Sequence, residues 1–292
     1  MITNLSEIIK KWLFKKIELP KKSCIISDAK IETDIDFVKI DTLEPVWQIL
    51  ALTDRYDFIF VILDRLNYDN IYRLYKNDRK NICVLNLNSG YTWLWIKSIS
   101  PDLDDIYVKE NVQVLEPMDL ENLKFNILEF IENPFLTHIR VSNKEMEEKV
   151  WWDEANLEYK EIINFNEFGL SWFSGTVLVY GSMLQEWLNA VWLLKWEGIW
   201  VDMFWLWNYK NPLSVDLVNS LESQDKVFIV GDFSDLIFKD FIYSKLYSAW
   251  VNKEEIYFIT PTNFKQVFND VLAEQVEMTP VKIYEKIRKQ ID

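Results

Sequence analysis

Glycine is nearly missing from this chain, at six of 292 residues, about 2% against the roughly 7% of ordinary proteins. Tight turns that need positive φ must therefore be few, or carried by residues that adopt it at a cost. The Gly-Asp-Phe after KVFIV (226–230) is no GxGxxG fingerprint, so a dinucleotide site is not expected. Histidine occurs once, at His138, which excludes a histidine metal cluster and argues against a histidine-based triad. On the strand-like FLTHIRVS it reads as a satisfied sheet residue rather than a catalyst. The two cysteines, Cys24 and Cys83, are far apart and unpaired in spacing, as in reduced cytosolic proteins, so a cytoplasmic location is expected. Positive charge is scarce: 32 Lys and Arg against 46 Asp and Glu give a net charge of −14. Nucleic acid and anionic membrane surfaces are therefore not expected partners. No apolar run reaches the length of a membrane span, and the N-terminal run is too polar for a signal peptide. DLDD (102–105) lacks the mid-loop glycine of a calcium loop.

What the chain has in excess is tryptophan, 14 residues, six of them between Gly181 and Leu213. Tryptophan and glycine together make up about 7% of the chain, the ordinary share of glycine alone. A reassigned stop codon read as tryptophan would produce both the deficit and the excess. Subunit contact is the alternative, because tryptophan anchors interfaces. Trp93, Trp95, Trp172 and Trp200 sit in turn-like contexts. Trp187, Trp192 and Trp196 lie inside a helical pattern, where glycine costs about 1 kcal/mol. On that helix Leu184, Trp187, Leu188, Val191 and Leu194 share one face, and Trp192 and Trp196 project from the other.

The hydrophobic pattern alternates strands and helices twice over. Residues 2–15 read as an amphipathic helix. Strands are expected at 24–27, 37–40, 58–63, 81–87, 112–117 and 135–142, with helices at 45–52, 68–75 and 120–131. A charged, aromatic stretch without period, 144–174, reads as a long connection. Beyond it, strands are expected at 176–181, 200–206, 226–232 and 255–260. The accompanying helices fall at 183–196, 215–221, 236–249 and 280–291, the last capped by Thr279 ahead of Pro280. This is an α/β pattern of two domains, each a mostly parallel sheet flanked by helices. The expected boundaries are 1–146 and 173–292, joined by a linker at 147–172.

TVLVYGSM, the helix ending in Glu-Gly-Ile, the Val-acid-apolar strand and Lys210 near Pro212-Leu213 resemble the C-terminal domain of the transketolase family. Asn211 between Lys210 and Pro212 is a one-residue departure. The first half is similar to that family's pyrimidine-binding domain. VQVLEPMDL followed by a helix and a strand with a late arginine, NYDNI (67–71), SGYT (89–92), DLDDI (102–106) and FVKIDTLEP (37–45) fall in the family's order.

The resemblance implies a subunit of a thiamine-diphosphate-dependent enzyme that lacks the diphosphate-binding domain. A separate subunit would supply that domain and hold most of the magnesium coordination, in a homodimer or heterotetramer. Split transketolases and 2-oxoacid dehydrogenase beta subunits are built this way; a non-catalytic assembly protein with the same fold is the other alternative. By resemblance Glu44 is the acid that bonds the aminopyrimidine ring, Phe60 stands near the ring-stacking aromatic (Ile62 is in register), and Tyr68 opens the helix after it. Ser100 occupies the position of an active-site histidine. Asn143 falls where a phosphate-binding arginine is usual, with Lys144 beside it. No metal ligand is assigned to this chain.

Overall fold

The computed structural model describes residues 2–40, 45–63, 73–76, 79–89, 106, 109–142, 145–147, 162–164, 174–231, 235–251, 254–261 and 278–291. The chain divides into two compact units, the first of residues 1–90 and 101–151, the second of 91–100 and 152–292.

The first unit opens with β1 (Ile2–Asn4), which pairs antiparallel with β8 (Glu145–Glu147). The helix expected from residue 2 begins instead at α1 (Leu5–Ile8), widens into a π-helical stretch at Ile9–Leu13 and closes as α2 (Phe14–Lys16). Local periodicity cannot announce a strand whose partner lies some 140 residues away. Then follow β2 (Ser23–Ser27), β3 (Asp36–Lys39), α3 (Pro45–Leu52), β4 (Phe58–Leu63), β5 (Ile82–Ser89), β6 (Gln113–Leu115), α4 (Leu120–Glu132) and β7 (Thr137–Ser142).

Six strands form one parallel sheet in the order β3-β2-β4-β5-β7-β6. Central strands are buried on both faces, which is why the CII of β2 and the FIFVIL of β4 read as unbroken apolar runs. Asp119 caps α4 by accepting the Asn122 N–H at 2.8 Å, and the helix lays Leu123, Ile127 and Phe130 into the core. Of the helix expected at 68–75, the described part is a short 3-10 turn, Leu74–Lys76.

The second unit contains β9 (Ile162–Asn164), β10 (Thr176–Tyr180), α5 (Leu184–Trp196), β11 (Asp202–Leu206), α6 (Val215–Ser223), β12 (Lys226–Val230), α7 (Asp235–Ser248), β13 (Glu255–Ile259) and α8 (Pro280–Ile291). Its sheet runs β13-β12-β10-β11-β9, parallel except for β9, which lies antiparallel on β11. The stretch read as pure connection thus gives β8 to the two-stranded pair with β1, and β9 to the sheet of the second unit.

Gly181, at φ +53, turns the chain from β10 into a 3-10 turn ahead of α5. Gly198, at φ +75, ends that helix. α5 buries Leu184, Trp187, Ala190, Val191 and Leu194, and leaves Trp192 and Trp196 in solvent, as the wheel requires. Glu197, just past α5, accepts from Tyr284 Oη and Arg288 Nε of α8. Those donors hold its carboxyl below the usual range, the tyrosine hydroxyl contributing most.

Candidate active site

In an open parallel sheet, ligands bind beyond the carboxyl ends of the strands, where the strand order reverses. The first sheet reverses between β2 and β4: from β2 the chain goes out to β3, then returns to the other side of β2. Ser27 closes this point. Its buried Oγ donates to the Ile62 carbonyl at 2.8 Å and accepts the Ala29 N–H at 3.0 Å, while its own carbonyl accepts the Ile40 N–H at 3.0 Å. The carboxyl ends of β2, β3 and β4 are thereby tied to one another.

Further along the same edge, polar groups enter an otherwise apolar sheet. Arg140, near the end of β7, pairs with Glu116 just past β6; their side chains are 0% and 1% exposed. Asn86, opposite Arg140 in the β5–β7 register, is fully buried, and the register shifts between Asn86 and Ser89. His138, on the same strand as Arg140, meets Tyr75 Oη through Nδ1 at 2.5 Å, and both are buried. This agrees with its reading as a satisfied sheet residue. The buried Arg140–Glu116 pair and Asn86 escaped sequence reasoning, although the signal was there: an arginine and an asparagine inside strand runs that are otherwise largely apolar.

Glu44, Tyr68, Ser100 and Lys144 lie outside the described residues, as do NYDNI, most of SGYT and most of DLDDI. In chain order, each of the four expected site residues falls in a segment that follows the carboxyl end of a strand of this sheet: β3, β4, β5 and β7 in turn. Glu44 directly precedes α3.

Phe60 lies in the middle of β4 and is fully buried. Its ring meets Phe130 edge-on at 5.5 Å and Phe14 at 5.5 Å with a 57° tilt. These contacts commit Phe60 to the helix-facing core. Ile62, two residues nearer the strand end, is also buried.

Neither thiol is poised as a nucleophile. Burial, with Asp36 adding, pushes Cys24 up to about 11, and burial alone pushes Cys83 higher. Both are free cysteines. Among the described residues no group of three or more His, Cys, Asp or Glu forms a metal site, and no helix is long and apolar enough to cross a membrane. A groove of about 420 Å³ along the edge strand β13 is lined by Lys239, Tyr243, Phe258 and Lys286. It runs beside that strand rather than beyond a strand end, and Lys239 already sits over the Phe258 ring at 5.2 Å.

No protein-family model matches the chain, and no curated protein matches its sequence. Solved structures do match. A split-gene transketolase, described as an inactive β4 tetramer, is similar over 92% of this chain and 91% of its own, with a TM-score of 0.69 and 16% identity. A transketolase from Pichia stipitis, in complex with sedoheptulose 7-phosphate, is similar over 100% of this chain but 46% of its own (TM-score 0.69, 12% identity). One from Campylobacter jejuni is similar over 92% and 44% (TM-score 0.64, 12% identity). The chain spans less than half the length of these last two. Its two-unit α/β architecture is a transketolase-like fold, with the span of the split-gene chain.

Proposed function

We propose that this chain is one subunit of a thiamine-diphosphate-dependent, transketolase-type enzyme, and that it gives Glu44 to a cofactor held mainly by a partner chain. The observation that carries the reading is the two-way coverage, 92% and 91%, with a split-gene transketolase chain. The sheet order supports it. The reversal between β2 and β4 faces the side on which the chain leaves β3 toward Glu44, and α3 starts at the next residue.

The cofactor, when bound, supplies the acyl-carbanion chemistry that side chains cannot. In this reading the Glu44 carboxyl holds a proton at the aminopyrimidine nitrogen, a role suited to a partly buried acid of raised pKa. By resemblance, Tyr68 would serve the cofactor, and Ser100 and Lys144 the substrate. Phe60 is left out, because its ring is occupied by Phe14 and Phe130. The diphosphate and magnesium belong to the partner chain.

The test is reconstitution with a candidate diphosphate-binding subunit, followed by Glu44→Ala. Ketol transfer should fall by about 10²–10⁴-fold, the usual contribution of a positioned acid or base. Unchanged turnover would remove Glu44 from the chemistry. If calorimetry with thiamine diphosphate and magnesium shows no uptake by any reconstituted pair, the chain is a non-catalytic assembly protein.

A further inference from the structure

Two helices of the second unit end in the same hydrogen-bonded motif. After α5, the Gly198 N–H reaches the Lys195 carbonyl at 3.0 Å and the Ile199 N–H reaches the Leu194 carbonyl at 3.0 Å. After α7, the Trp250 N–H reaches the Tyr247 carbonyl at 3.0 Å and the Val251 N–H reaches the Leu246 carbonyl at 2.9 Å. Each is a Schellman cap, whose central residue must be left-handed and is usually glycine. At the first cap that residue is glycine, at φ +75. At the second it is tryptophan, at φ +62, the one described non-glycine residue with positive φ.

A bulky side chain in this region is a genuine outlier. At 88% exposed, Trp250 gains little burial to offset the strain. The cap itself is well made: Val251 and Leu246, at the two positions that normally touch across it, are both buried. The backbone therefore asks for glycine at 250, in a chain whose glycine is scarce and whose tryptophan is abundant.

We infer that position 250 is glycine in the protein as its own cell makes it, the tryptophan arising from a codon whose meaning there is reassigned. Every other tryptophan that shares the codon changes with it. Trp47, Trp192 and Trp196 are largely in solvent, at 68%, 59% and 86% exposed, with the Lys195 Nζ 5.0 Å from the Trp192 ring. Positions 93 and 95, between Gly90 and Ser100, carry the same ambiguity; glycine there makes the segment after β5 glycine-rich, beside an expected site residue. The inference stands on the cap and the composition, so it can fail without touching the thiamine-diphosphate reading.

Peptide mass mapping of the chain purified from its native cells decides it. A peptide over 245–253 lighter by the tryptophan side chain confirms the inference, and the whole-chain mass counts how many other positions follow. A peptide of full tryptophan mass overturns it. In protein made with the standard code, Trp250→Gly should raise the folded-to-unfolded ratio roughly tenfold, the cost of a left-handed L-residue, and Trp250→Ala should recover much less because it keeps a Cβ. If the two variants are equally stable, the cap does not demand glycine and the inference loses its ground.

Discussion

The Arg140–Glu116 pair lets the carboxyl edge of the first sheet be tested without knowing the ligand. Both side chains are out of water, at 0% and 1% exposure, and Arg140 is among the largest fully buried side chains in the chain. Glu116→Gln keeps the volume and removes the charge, leaving a guanidinium in a dry interior. Breaking one side of such a pair costs about 3–5 kcal/mol, a large part of the 5–15 kcal/mol by which a domain is usually stable. For a unit of this size that corresponds to a melting shift on the order of 10 °C.

Replacing both partners at once, Glu116→Leu with Arg140→Met, removes the stranded charge. It should recover most of the loss, because buried pairs exchanged for apolar groups are often neutral. The assay is thermal unfolding by calorimetry of the wild type, both single variants and the double variant, with circular dichroism confirming the fold. A Glu116→Gln loss below about 1 kcal/mol, the level of an exposed pair, would refute the description of this edge as dry. A double variant as unstable as the singles would show that the pair is needed by its other neighbours rather than by itself.

Two further perturbations probe the second sheet. Asp202 opens β11 and is 5% exposed; burial raises its carboxyl pKa, against the opposing hydrogen bonds from the Ser220 hydroxyl and the Met203 N–H. An acid whose folded pKa is raised makes the folded state relatively less stable once both states are ionised, and that penalty is relieved as pH falls through the raised value. Asp202→Asn should therefore melt above the parent at pH 7, with the gap closing in acid; a variant that melts lower at pH 7 would mean that the charge is welcome there. Gly175 precedes β10 so closely against β12 that an added Cβ would lie 2.9 Å from the Lys226 carbonyl and 2.9 Å from the Phe228 ring. Gly175→Ala should cost about 1–3 kcal/mol by overpacking, read as a lower urea midpoint at unchanged slope; an unshifted midpoint would mean that the two strands separate freely.

The strands that came through from sequence are those in which tertiary burial and local composition agree. FIFVIL, TVLVY and KVFIV are buried on both faces, so their apolar runs needed no partner to be recognised. Helix ends were legible where a side chain or glycine marks them, as at Thr279, whose Oγ1 accepts the Lys282 N–H, and at Gly198. Three of the three-residue strands were not, although β6 was. Ile2–Asn4, Glu145–Glu147 and Ile162–Asn164 owe their form to partners supplied from elsewhere, and EME or IIN alone carries no periodicity. The π-helical stretch at Ile9–Leu13 was equally silent, since its apolar spacing still reads as helical.

The candidate site divides along the same physical line. A buried strand has its identity written in composition, whereas a side chain at a strand end is defined by what it faces, which spacing does not record. Phe60 shows the difference. Its position in a buried strand was legible from the apolar run, but which of its neighbours the ring meets depended on Phe14 and Phe130, 46 residues before it and 70 after. Glu44 is the converse case, chosen by resemblance and placed in chain order between β3 and α3. The sheet reversal at Ser27 ties the ends of β2, β3 and β4 together by backbone and side-chain hydrogen bonds, so an acid that leaves β3 toward α3 starts from a fixed point. Loosening that point with Ser27→Ala, while leaving Glu44 in place, should therefore lower the activity of a reconstituted pair more than it lowers the melting temperature of the free chain; equal losses would mean that Ser27 serves the fold alone.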